Sequence, residues 1–316
     1  MKLPVPACLL GLLSMAVSPA CAAAGDFWSH WGDGRAELAG YRLRQPRYGH
    51  LRDGTAVLIF VTEDMSDSLR VKADPGRHPP TDVYPVLKLN WTRTFQTGIY
   101  PYHVMTSVFS RVDAPAGARP WPVRKISFSS QEWCGHVYHQ LLPRGGKLIS
   151  QSHSYFDGEA DAEHELPAPP DGVSEDELPI LLRSYPGRTD YLSPGRSVTV
   201  PFLPALLRVR LSHQPLRWTR ATLTRAVVPE EIAVPAGRLP AFRYTISVEG
   251  GPSGTLHVEA VAPHRILSWR WSDGEEGTLL GATRLKYWEL SGPGQERFLR
   301  QLGLHPPRPA ADSSGK

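Results

Sequence analysis

Residues 84–96 read YPVLKLNWTRTFQ, with apolar and polar side chains in turn. A period of two is the signature of a strand with one face buried, since successive side chains leave a strand on opposite sides. The same alternation runs through HVMTSVFSRV (103–112) and RKISFSSQEWCGHVYHQL (124–141). It returns in SVTVPFL (197–203), LRVRLSHQPLRWTRATLTRAVV (207–228), FRYTISVEG, TLHVEAVA and RILSWRW. Turn sequences such as GGPSG and SDG separate these runs at the spacing of an antiparallel meander. Residues 55–62 are continuously apolar, as in a strand covered on both faces. The 31 prolines and 28 glycines are spread along the chain rather than gathered in one tract, which suits many strands and turns. The expected fold is all-β or β-rich antiparallel, with meander sheets, a short connector helix and a C-terminal helix.

DFWSHWGDG (26–34) reads as a single amphipathic helical turn stopped by glycine, SLRVKAD (68–74) as extended, and DPGRHPPTD (74–82) as an exposed loop. Arg144-Gly145-Gly146 marks a turn leading into KLISQSHSYF (147–156). The pattern breaks over 157–172, DGEADAEHELPAPPDG, which is acidic, then proline-rich, with no apolar period. Ser174-x-x-Glu177 is a capping box and predicts a helix over 175–184. The chain therefore divides into a β-rich half (25–170), a helical connector (171–190), a second β meander (191–304) and a disordered tail (305–316). Whether the halves share one sheet is open at this level. GQERFLRQLG (294–303) reads as a terminal amphipathic helix.

The first 24 residues combine Lys2, an apolar stretch too short to span a bilayer, and a run of small residues. They read as a secretory signal with cleavage near Ala22–Ala24, or as a lipoprotein leader with lipidation at Cys21. The expected address is the periplasm or the outer membrane, with membrane contact only through that N-terminal anchor. Net charge is +4, but arginine outnumbers lysine 28 to 7 and basic residues interleave with acidic ones. No run of the kind that tracks phosphates is present, which argues against nucleic acid as a partner.

Cys134 is the sole cysteine beyond the leader, so a disulfide framework is excluded. On a strand over 124–141, Glu132, Cys134, His136 and Tyr138 share one face, with neighbours about 6.6 Å apart. That is too far for a direct thiol–imidazole dyad, and a bridging zinc, with Zn–S about 2.3 Å, closes more of the gap. A hairpin about Arg144–Gly146 brings His153 and Asp157 near, so Cys134, His136, His153 and Asp157 are the candidate metal ligands. Cys134 and His136 are the candidate catalytic residues, with His153 or His103 as an external base. Against these stands the simple reading of Cys134 as a buried thiol on a core strand. Asp157-Gly158-Glu159 reads as a solvated turn. Trp28, Trp31, Trp269, Trp271 and Trp288 read as core and interface aromatics rather than a carbohydrate platform, and Ser129 and Ser130 lack a nucleophile elbow.

The blocks WGDGRAELAGYRL, SSQEWCGHVY, SHSYFDGEAD and YWEL resemble an uncharacterised family of bacterial exported β-rich proteins. Some of its members carry a septum-formation-inhibitor label, whose phosphate-binding segment is absent here. Residues 234–290 resemble LolA/LolB-like exported domains, with VPAG leading one strand and APHRI opening another. The resemblance implies non-enzymatic binding of an apolar ligand, or of an envelope protein, on a curved sheet. The alternatives are a metal- or thiol-dependent hydrolase centred on Cys134, His136 and His153, and a purely structural interaction module.

Overall fold

A computed structural model describes residues 26–115 and 117–305. The expected leader, the Cys21 lipidation site and most of the expected tail lie outside the described residues. The chain is β-rich, and its strands form one large, mostly antiparallel sheet. The first half contributes β1 (Ala36–Arg47), β2 (His50–Ser66), β3 (Val83–Thr97), β4 (Tyr100–Arg111), β5 (Val123–Glu132), β6 (Gly135–Arg144), β7 (Lys147–Ser154) and β8 (Ala162–Pro167). The second contributes β9 (Val173–Ser174), β10 (Ser197–Leu203), β11 (Thr219–Arg225), β12 (Glu230–Val234), β13 (Gly237–Val248), β14 (Gly254–Glu259), β15 (Ile266–Trp271) and β16 (Glu276–Leu285). β1 pairs with β16, so the halves join without a seam, and the path runs from β8 at one edge to β9 at the other.

The edges set the shape. Laid flat, the strands of this path would span about 67 Å. Yet β8 and β9 are consecutive in the chain, and residues 168–172 between them reach at most about 22 Å. The sheet therefore rolls into a barrel that does not close. β8, with Glu163, His164 and Glu165 exposed, is a charged edge of the kind that resists further pairing.

Two-residue turns drive the meander. Tyr48-Gly49 and Gly145-Gly146 hold positive φ at both positions, the geometry that matches the twist of the flanking strands. Inside the roll lies one continuous core, to which α1 (Phe27–Trp31) adds Phe27 and Trp31. The connector fills the centre. Ser174 and Glu177 form the capping box, and a 3₁₀ turn (Glu175–Glu177) runs into α2 (Leu178–Leu181). This helix is shorter than the expected 175–184. Arg183, just after it, is fully buried and holds the Glu37 carboxylate of β1 through two hydrogen bonds of 2.8 and 3.1 Å. Removing either partner of such a pair leaves a buried charge at a cost of about 3–5 kcal/mol.

On the outer face, the 3₁₀ segment Gln295–Leu302 ends at Gly303 and lies across β1, β2 and β16. It covers Ala36, Leu38 and Val61. This explains the unbroken apolar run of β2, whose alternate side chains meet the inner core and this outer cluster. The approach is close: a Cβ on Gly40 would lie 2.2 Å from the Leu302 carbonyl oxygen.

Several expectations need correction. Residues 124–141 are two strands, β5 and β6, turned at Trp133-Cys134. Residues 206–212 form α3 (Leu206–Ser212) instead of opening a strand, because distant carboxylates cap their amides. Segment 162–167, which shows no apolar period, is the edge strand β8. SLRVKAD makes only an isolated bridge at Lys72. Trp31, Trp269 and Trp271 are core residues as expected, whereas Trp288 is about half exposed.

Candidate functional site

The turn at residues 132–135 decides what the lone cysteine can do. Glu132 pairs with Gly135, which leaves Trp133 and Cys134 as the two turn residues, both outside the ladder. The Glu132 carboxylate accepts from the Cys134 amide at 2.6 Å and closes the turn. Cys134 is therefore exposed rather than buried, and it no longer shares a strand face with His136. A hydrogen bond to the Glu132 carboxylate pushes its thiol up from the usual range, which opposes thiolate formation.

β6 and β7 do form a hairpin about Gly145-Gly146, with Tyr138 opposite His153 and His136 beside Tyr155, whose amide donates to the His136 carbonyl at 3.2 Å. His136 and His153 consequently project from the same outer face, offset by one strand pair. His153 Nδ1 lies 3.0 Å from an Asp161 carboxylate oxygen. Asp157 belongs to an exposed turn whose Gly158 has φ 77°. Among the described residues no three His, Cys, Asp or Glu side chains gather into a group that could hold a metal ion. The quartet Cys134, His136, His153 and Asp157 thus does not assemble, because the turn carries Cys134 off the face and the loop carries Asp157 away.

The register instead builds an open groove of about 720 Å³ on the outer face of β3 to β7. One row of cross-strand neighbours runs Thr92, Met105, Ser129, Tyr138 and His153. A second, two residues along, runs Thr94, His103, Gln131 and His136. The sequence marks His103 only as an external base for Cys134. Its strand partner Thr94, 3.4 Å from its Nδ1, makes it part of this surface.

A second site lies inside. The seam where β8 and β9 do not pair runs beside the inner faces of β5, β6 and β7. A cavity of about 180 Å³ opens there, walled by Ile126, Leu141 and Leu148 on one side and Leu203 and Trp218 on the other. Pro169 and Pro170 form its lip, and the Trp218 indole donates to the Pro167 carbonyl at 2.8 Å, tying the end of β8 to the start of β11. At its end, Arg119 donates to both oxygens of Glu177 at 2.9 and 2.8 Å. Burial pushes the Glu177 carboxyl up despite that guanidinium. No sequence signal marked this cavity, since its walls are residues that read simply as core.

Fold and sites together define a rolled, incompletely closed antiparallel sheet with a cavity at its open seam and, outside, a groove that carries hydroxyl, amide and imidazole groups. No family model, curated protein or solved structure matches the chain.

Proposed function

We propose that the chain is an exported, non-enzymatic binding protein that takes an apolar ring or acyl segment into the cavity between β5–β7 and the connector. The carrying observation is an apolar void placed at the one line along which the barrel is open. An enclosed apolar space of about 150 Å³ is enough to hold a benzene ring, so 180 Å³ admits a ring or a short length of chain. Leu178, Ile180 and Leu181 of the connector are buried in the core, which leaves this end for the ligand. The Arg119–Glu177 pair supplies the few polar groups that orient a ligand in an otherwise apolar site. The LolA/LolB-like cadence of 234–290 points to the same class of activity.

The test is saturation binding of a fluorescent polyene fatty acid to the purified chain. We expect saturable binding with one site per chain, weakened at least tenfold in Leu141→Trp, which fills the cavity. Absence of saturable binding, or affinity unchanged in the filled variant, would overturn the reading.

A further inference from the structure

We propose that the outer groove of β3 to β7 is a binding site for a neutral oligosaccharide. Among its lining residues the only fixed cation is Arg93, and its side chain is buried on the inner side, 3.6 Å over Trp91 and 3.9 Å from Glu275. The only carboxylate is Asp161. An anionic ligand finds no guanidinium or ammonium there to pair with. An apolar ligand would have to cover Ser129, Gln131, Thr92 and Thr94 without meeting their hydrogen-bonding capacity.

What the groove offers is a field of neutral groups. Hydroxyls, the Gln131 amide and imidazoles can all donate or accept, which matches a sugar hydroxyl that does both. Asp161 fixes His153 through Nδ1 and leaves Nε2 for a ligand. Aromatic faces complete the match. Tyr138 is 38% exposed and lies nearly parallel to His153, at 23°. Tyr155 is 77% exposed, yet it is held in place: a Cβ at Gly135 would stand 2.6 Å from its ring. An exposed tyrosine seated on a glycine of the neighbouring strand is a presented surface, not a stray side chain. Apolar C–H faces of a pyranose pack on such rings while its hydroxyls meet the polar floor. The volume of about 720 Å³ falls in the range of small-ligand sites and exceeds a single sugar ring.

The site is separate from the inner cavity, and its test is independent of the function proposed above. Chito-, cello- and malto-oligosaccharides are titrated into the full chain and followed by saturation-transfer difference NMR and calorimetry. We expect at least one series to bind, with saturation reaching the sugar ring protons. Affinity should fall at least tenfold in Tyr155→Ala and in Gly135→Ala, which displaces that ring, and stay within twofold in Leu141→Trp. Thermal melts identical to the parent show that Tyr155→Ala is folded. Absence of binding by all three series at millimolar concentration overturns the proposal, as does binding that survives Tyr155→Ala unchanged.

Discussion

Glu175 and Asp176 lie beneath α3, at the centre of the molecule, and each is nearly out of contact with solvent. They supply what that short helix lacks: Glu175 accepts from the Ala205 amide at 3.2 Å and Asp176 from the Leu206 amide at 2.9 Å. Free amides at a helix start favour negative charge. Arg208 adds hydrogen bonds of 2.7 and 2.9 Å to Glu175. Burial outweighs these partners and pushes Glu175 up to about 7 and Asp176 up to about 6, with the Glu275 carboxylate adding to both shifts. A carboxyl whose pKa is raised by folding binds its proton more tightly in the folded state. Its contribution is fully present below the unfolded value of 4.5 and is lost as pH rises through about 7. Across that window the Glu175 contribution changes by on the order of 3 kcal/mol. Glu175→Gln keeps an acceptor and removes the titration. We expect the difference in denaturation midpoint between parent and variant to move in the variant's favour from pH 4.5 to pH 8. Equal pH dependence in the two proteins would refute the assignment.

At the scale of elements, a strand or helix here forms where local pattern and tertiary cover agree, and Gly40 shows how narrow the agreement is. The terminal segment Gln295–Leu302 reaches β1 only because Gly40 and Gly281 carry no side chain. Gly40→Ala places a methyl group against the Leu302 backbone and should cost about 1–3 kcal/mol through overpacking. Limited proteolysis should then cut within 290–305 before any other region, and an unchanged digestion pattern would count against this packing. The sequence made the period-two strands, the Ser174–Glu177 capping box and the terminal segment visible, because each has a local physical signature. It concealed the turn at Trp133-Cys134, which uses no Gly, Pro, Asn or Asp at its centre and is closed by the Glu132 side chain. It concealed α3, since Arg208-Val209-Arg210-Leu211 alternates like a strand and the carboxylates that cap it come from residues 175 and 176. β8 was hidden because an edge strand facing solvent needs no apolar side chains, only a partner for its backbone. His136 and His153 could be placed together from the hairpin at Gly145-Gly146. The groove around them depends on the register of β3, β4 and β5, which no local pattern discloses.

For the whole molecule, the pairing of β1 with β16 and the single inner core imply one cooperative unit. The core draws Leu58 and Trp91 from the first half, Leu256 and Trp269 from the second, and Leu178 and Ile180 from the connector. Trp91 packs edge-on against Trp269 across the halves at 5.0 Å, and Tyr41 donates to the Ile266 carbonyl at 2.8 Å. Neither half retains a covered inner face without the other, and β1 without β16, though still paired with β2, would present an unpaired edge along Ala36–Arg44. Chain closure also matters, since residues 168–172 hold the two edges near enough for the connector to stay inside. Chemical denaturation should therefore give coincident transitions by far-ultraviolet circular dichroism and by tryptophan fluorescence. A fragment spanning residues 26–170 should lack native tertiary signals and aggregate, whereas mixing it with residues 171–305 during refolding should recover part of the native spectrum. A folded, monomeric 26–170 fragment, or two resolved transitions in the intact chain, would show that the shared sheet is two domains laid edge to edge.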